Sequence, residues 1–203
     1  MTIDLPAERE IIVVNDGSSD GTRGILDTLA GTPRLRIVHG NRNRGKGYAI
    51  RCGIVEARGD VVAIQDADLE LDPAQLAGLV APILASETDV VYGSRFLAGT
   101  PNAPRLTLIA NRALTSLTNL LYGSSLTDME TCYKIMRASV AKSLPLTADR
   151  FDIEPEITAL LLTRGHSIAE LPVTFTPRSR AAGKKIGWRD GVTAVRVLVK
   201  HRK

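Results

Sequence analysis

The densest chemistry in this sequence lies in Val61-Val62-Ala63-Ile64-Gln65-Asp66-Ala67-Asp68-Leu69-Glu70, followed by Leu71-Asp72-Pro73. An apolar run of strand-forming residues ends in alternating acids, and a proline then opens a helical pattern. A backbone that stays extended through Asp66, Asp68 and Glu70 turns all three carboxylates to one side. Three acids on one face repel one another unless a cation sits between them. Hard oxygen donors suit Mg²⁺ or Mn²⁺, which keep open positions for substrate phosphates. Open α/β sheets bind their ligands at the carboxyl ends of strands, which is where these acids fall. The plain alternative is a polar turn with solvated acids.

Two other stretches carry ligand-binding residue types. Asp16-Gly17-Ser18-Ser19-Asp20-Gly21-Thr22 follows the apolar run Glu10–Asn15. A carboxylate there can accept hydrogen bonds from a base or ribose, and small residues let a ligand approach the backbone. The same residues also make a good turn and helix cap. Asn43-Arg44-Gly45-Lys46-Gly47 before a helix is like a phosphate loop in kind, with Lys46 as its cation, but it lacks the P-loop spacing.

These residues need elements to hold them. Strands are expected at Glu10–Asn15, Leu35–His39, Val61–Gln65 and Asp89–Gly93. They alternate with helices at Thr22–Leu29 and Tyr48–Ala57 and from Pro73 to about Ala85. That alternation predicts an α/β fold with a mostly parallel sheet flanked by helices. Beyond Arg95 come an apolar helix over Leu106–Leu121, a strand over Asp128–Arg137 and a helix over Glu154–Arg164. A strand over Ile168–Phe175, a basic loop over Arg178–Gly187 and an amphipathic helix over Asp190–Lys200 complete the chain.

Composition narrows the classes. The 203 residues suit one domain, 44% of them are hydrophobic, and no apolar run reaches the roughly 18–20 residues that cross a bilayer. Cys52 and Cys132 suggest neither a disulfide framework nor a metal site, so the expected compartment is the cytoplasm. The net charge of +4 owes much to the last 26 residues, including Arg178, Arg180, Lys184 and Lys185. Such a segment can meet anionic lipid or a phosphorylated substrate, or simply aid solubility. Aromatic residues are only 4% and do not interleave with the basic ones, which disfavours nucleic acid as a partner.

In their order, Val-Val-Asn-Asp-Gly-Ser-Ser-Asp-Gly-Thr (13–22), Asn-Arg-Gly-Lys-Gly-Tyr-Ala (43–49), Asp-Ala-Asp-Leu (66–69) and Gly-Ser-Arg-Phe (93–96) resemble the family 2 glycosyltransferases. Thr-Asp-Met-Glu-Thr-Cys-Tyr-Lys (127–134), Phe-Asp-Ile-Glu-Pro-Glu-Ile-Thr (151–158) and Gly-Lys-Lys-Ile-Gly-Trp-Arg-Asp-Gly (183–191) are similar to the dolichyl- and polyprenyl-phosphate mannose or glucose synthase branch. The resemblance implies a single GT-A domain over 1–203, with a nucleotide-sugar half to about residue 95 and an acceptor half beyond it. It implies that Asp16, with Gly17 and Ser18, contacts the nucleoside, and that Lys46 and Asp66 belong to the donor site. Asp68, with Asp66 and Glu70, would bridge Mg²⁺ or Mn²⁺ to the donor diphosphate. Arg95 would lie near phosphate groups, and Asp128 would serve as base or orienting carboxylate. Arg178, Arg180 and Lys184 would meet the acceptor phosphate or the donor diphosphate.

The implied activity is inverting transfer of a hexose from a GDP- or UDP-sugar to a polyprenyl phosphate, with peripheral contact at the cytoplasmic face of a membrane. Transfer to a sugar hydroxyl, a sugar-nucleotide pyrophosphorylase and a non-catalytic homologue are the rivals. One departure stands out. Family members begin with an apolar strand ending in Pro-x-x-Asn-Glu and then a helix, of which Met1–Pro6 resembles only the tail. The expected fold is therefore an N-terminally truncated GT-A.

Overall fold

The computed structural model describes residues 5–177 and 188–202. Among the described residues six strands and seven helices alternate in an α/β arrangement, with strands β1 (Ile11–Asn15), β2 (Leu35–His39), β3 (Val61–Ala63), β4 (Val90–Ser94), β5 (Lys134–Arg137) and β6 (Ala169–Pro172). The helices are α1 (Thr22–Thr28), α2 (Lys46–Glu56), α3 (Leu76–Leu84), α4 (Arg105–Tyr122), α5 (Ala138–Ser143), α6 (Ile153–Thr163) and α7 (Trp188–Lys200).

Among the described residues the strands form two sheets. β1 and β2 pair in parallel, and a separate four-stranded sheet runs β3-β5-β4-β6. The α/β class and flanking helices match expectation, but the pairing is mixed and not mostly parallel. β5 runs antiparallel to both β3 and β4, whereas β4 and β6 are parallel. The physical reason is the connection. β5 follows the long α4 and a loop that returns it along the sheet in the opposite sense, so it enters between two like-directed strands. Among the described residues no strand pairs with both β1 and β3.

Local chemistry explains two of the helix ends. Asp72 accepts from the Ala74 N–H, and Pro73 occupies the first position of a short 3₁₀ turn leading into α3. α4 stops at Gly123, whose φ of 66° is the left-handed conformation that a helix C-terminus favours. All five residues of β4 are buried, as its continuous apolar run requires of a strand covered on both faces. α3 packs on β3, β4 and β5, and α2 packs on β1, α5 and α6. The core joins Ile83 of α3, Val90–Tyr92, Tyr133, Ile135 and Met136 to Ile153, Ile157 and Leu161 of α6.

Three expected strands are shorter by two or more residues in the structure. β3 ends at Ala63, not Gln65, and the acids that follow fall in a turn: Asp68 Oδ1 accepts the Glu70 N–H at 3.1 Å, and Leu69 adopts a φ of 62°. The strand pleat therefore does not carry Asp66, Asp68 and Glu70 to one side. The segment before Lys134 is not strand either. Its amides at Thr127 and Asp128 donate to the Glu170 carboxylate at 2.7 and 3.0 Å, which draws them away from a ladder. β6 is confined to Ala169–Pro172 because beyond it Thr174 N–H donates to Gln75 Oε1 at 2.6 Å, leaving the β4 ladder for the turn before α3.

Candidate active site

The site is built at the carboxyl ends of β1, β3 and β4. At the end of β1, Asp16 reaches across to the loop before α2. Its carboxylate accepts from the Arg44 N–H at 2.9 and 3.1 Å and from the Gly45 N–H at 2.5 Å. Those amides are unpaired donors at a helix N-terminus, where a carboxylate is favoured by both hydrogen bonding and the helix dipole. Gly17 makes the approach possible. Its φ is 66°, and a side chain there would collide with the backbone of Arg42 and Asn43. Behind it, Asn15 Nδ2 bonds His39 Nδ1 at 3.1 Å and His39 Nε2 bonds Asp27 Oδ1 at 3.1 Å, while Ser18 N–H donates to Asn15 Oδ1.

The 43–47 loop is filled by protein groups. Besides the amides on Asp16, Gly47 N–H donates to Arg150 O and Tyr48 N–H to Asp149 O. Its likeness to a phosphate loop therefore does not extend to the Arg44, Gly45 and Gly47 amides. Lys46 turns inward: its Nζ lies 2.7 Å from Asp66 Oδ2 and 2.7 Å from Glu154 Oε1. The two carboxylates keep this ammonium protonated well above the ordinary lysine range despite the desolvation that opposes it.

Asp66, Asp68 and Glu70 follow β3 in a turn, and each is partly exposed. Among the described residues no group of three or more His, Cys, Asp or Glu side chains is arranged to hold a metal ion. The donor chemistry nonetheless fits a hard divalent cation. Asp66 and Asp68 are oxygen donors two residues apart, accessible from solvent, with only one Asp66 oxygen engaged by Lys46.

At the end of β4, Arg95 closes on Asp128. Its Nε donates to Oδ2 at 2.7 Å, its Nη2 to Oδ1 at 2.8 Å, and the Arg95 N–H also donates to Oδ2 at 3.0 Å. Asp128 is fully buried, and the Arg95 side chain is 14% exposed. Desolvation works against the Arg95 charge, but its bonds to Asp128 more than offset it and raise its pKa. The Arg95 guanidinium also lies 5.3 Å from the Phe175 ring centroid. Arg178, Arg180 and Lys184 lie outside the described residues.

Sequence reasoning assigned no site role to three residues beyond residue 95, two of which, Lys134 and Glu154, lie inside the motifs quoted above. Glu154 pairs with Lys46, Glu170 anchors the 127–128 amides, and Lys134 is buried beside Glu154 at 3.5 Å. Their signal was faint but present: charged residues inside otherwise apolar or alternating runs, where a buried charge needs a partner.

Comparisons with known proteins agree with this architecture. Residues 4–144 match the family model described as Glycosyl transferase family 2. Polyprenol monophosphomannose synthase of Mycolicibacterium smegmatis is 29% identical over 187 residues, covering 87% of this chain and 70% of that relative. Undecaprenyl-phosphate mannosyltransferase of Micrococcus luteus is 29% identical over 203 residues, covering 96% of this chain and 83% of that relative. Among solved structures, mannosyl-3-phosphoglycerate synthase from Rubrobacter xylanophilus superposes with a TM-score of 0.74 at 21% identity, over 96% of this chain and 64% of that one. Glucosyl-3-phosphoglycerate synthase from Mycobacterium tuberculosis, in complex with Mn²⁺, UDP and glucosyl-3-phosphoglycerate, gives 0.72 at 20% identity, over 95% of this chain and 68% of that one. The fold is GT-A, and the chain belongs to glycosyltransferase family 2.

Proposed function

We propose that this protein is an inverting, metal-dependent hexosyltransferase that takes a sugar from a GDP- or UDP-sugar to a polyprenyl phosphate. The observation that carries the acceptor class is the state of Asp128. A sugar hydroxyl must lose a proton on attack and needs a base within reach. Asp128, the carboxylate expected to be that base or an orienting group, is fully buried and bound by three Arg95 donors. A phosphate acceptor is already anionic and needs none. The names of the two mannosyl-transferring relatives support the same class.

In the proposed reaction an acceptor phosphate oxygen forms the new bond to the anomeric carbon from the face opposite the leaving group. The bond from that carbon to the donor's β-phosphate oxygen breaks, and its electron pair departs with the nucleoside diphosphate. Negative charge grows on the leaving group, so cations near it lower the barrier. Asp66, Asp68 and Glu70 would hold Mg²⁺ or Mn²⁺, which when bound supplies Lewis-acid stabilisation of the diphosphate. Asp16, Gly17 and Ser18 would shape the nucleoside side, with Lys46 in the donor site through its pair with Asp66. The basic segment with Arg178, Arg180 and Lys184 would neutralise the acceptor phosphate against repulsion from the donor.

A lipid acceptor asks for contact with a membrane. Among the described residues no helix is long and apolar enough to span one. α4 instead exposes Leu106, Ile109 and Leu120, with Arg105 and Arg112 also at the surface. Apolar side chains flanked by cations suit the interface of an anionic bilayer. The test is incubation with labelled GDP-mannose or UDP-glucose, undecaprenyl phosphate and Mn²⁺, followed by organic extraction. Label in the lipid phase is the expected result. Label on a free sugar hydroxyl with none on the lipid phosphate would sink the proposal, and pyrophosphate-dependent release of sugar 1-phosphate would point to a pyrophosphorylase.

A further inference from the structure

Four buried or half-buried charges from separate parts of the chain meet behind the acidic turn. Lys46 opens α2, Asp66 follows β3, Lys134 opens β5 and Glu154 lies in the first turn of α6. Lys46 Nζ stands between Asp66 Oδ2 and Glu154 Oε1, 2.7 Å from each. Lys134 Nζ is 3.5 Å from Glu154 Oε2, donates to Met129 O at 2.7 Å and lies 3.9 Å from the Tyr92 ring centroid. The Glu154 side chain is 5% exposed and that of Lys134 is fully buried. Two ammonium groups and two carboxylates leave the group neutral, which a buried cluster of charges requires.

The arrangement decides where Asp66 can stand. Asp66 lies past the last residue of β3, so no strand ladder fixes it. A lysine on one carboxylate alone keeps the freedom of its four-carbon stem. A second carboxylate on the other side limits that freedom through its charge, Glu154 being ion-paired to Lys46 at 2.7 Å without hydrogen-bond alignment, and Glu154 sits on a deeply buried helix, with Ile153 through Leu161 all buried. Glu154 also faces the helix N-terminus, where its charge is favoured. We propose that Glu154 is a positioning residue that holds Asp66 in place through Lys46, fixing the carboxylate that faces the donor diphosphate. The link to the diphosphate rests on the donor-site reading above, whereas the chain Glu154–Lys46–Asp66 does not.

A double-mutant cycle tests it. Mn²⁺-dependent binding of UDP and of GDP is measured by calorimetry for Glu154→Gln, Lys46→Met and the two combined. Each single change is expected to weaken binding about tenfold, and Glu154→Gln is expected to cost nothing further once Lys46 is methionine. That coupling, a factor of ten, corresponds to about 1.4 kcal/mol. Additive losses, or unchanged binding in Glu154→Gln, overturn the proposal. Because Glu154→Gln alone leaves a surplus of buried positive charge, the charge-neutral pair Glu154→Gln with Lys134→Met is measured beside it and is expected to show the same loss. A second readout uses no ligand. In ¹⁵N-lysine-labelled protein, the Lys46 ammonium resonance is expected in the wild type, shifted in Asp66→Asn and lost to exchange in Glu154→Gln. A resonance unchanged in Glu154→Gln overturns the proposal. A wild type that binds neither nucleotide, yet shows this Glu154-dependent resonance, supports the positioning chain and defeats the glycosyl-donor reading.

Discussion

Arg95 and Asp128 form a closed pair, with both guanidinium and backbone donors of Arg95 on one buried carboxylate at 2.7 to 3.0 Å. Removing one partner of a buried ion pair leaves the other charge uncompensated, which costs roughly 3–5 kcal/mol. Asp128→Asn is therefore expected to lose stability of that order in urea denaturation, together with transferase activity. Arg95→Lys is expected to fail similarly, since a lysine cannot reproduce the two-pronged geometry. An Asp128→Asn protein of wild-type stability that has lost only its activity would return Asp128 to the role of base.

Asp68 makes a different prediction. Its side chain caps the Glu70 amide in a partly exposed turn, where one hydrogen bond contributes little to the fold. Asp68→Ala is expected to abolish Mn²⁺-dependent nucleotide binding while shifting stability by only about 1 kcal/mol. Calorimetry showing unchanged metal-dependent affinity would refute the metal assignment.

Glu130 predicts a pH dependence of stability. Burial, and next the Glu154 carboxylate, push its carboxyl up to about 7, with Lys134 and Arg95 opposing and Asp128 adding to the rise. Its Oε1 is buried and accepts no hydrogen bond among the described residues. The folded state thus holds a proton that the unfolded chain, with the ordinary value of 4.5, has released. Stability from this group is fully present below about 4.5, falls as pH rises through the window to about 7, and is level above it. Glu130→Gln removes that slope. The variant should gain roughly 2–3 kcal/mol relative to wild type between pH 4.5 and pH 8, read by urea denaturation at both values. An equal difference at the two pH values would show that Glu130 titrates normally.

The exposed face of α4 predicts membrane association. Sedimentation with vesicles containing phosphatidylglycerol is expected to pull down the protein at low salt, and less at 0.5 M salt, where screening is nearly complete. Ile109→Glu, at a position 63% exposed, is expected to reduce binding at least severalfold without altering stability. Wild-type binding by that variant would move the contact elsewhere on the surface.

Much of this protein is determined by short-range pattern. Val90-Val91-Tyr92 reads as a strand buried on both faces because nothing polar interrupts it, and it is one. Asp72-Pro73 and Gly123 mark helix ends through capping chemistry that acts over one turn. The order of the glycine- and acid-containing segments was enough to indicate family 2. The tertiary structure decided the rest. Whether the acids after β3 stay extended depends on a local contest, which the Asp68 turn wins over the strand pleat. β5 runs antiparallel because of where a long connection returns it, and sequence alternation is blind to strand direction. The partners of Lys46, Arg95 and Asp16 are further still from the reach of pattern. A loop amide cradle filled by Asp16, a carboxylate clamped by an arginine and a lysine shared with Glu154 exist only once separate elements pack, because charge pairing follows distance in space and not spacing along the chain.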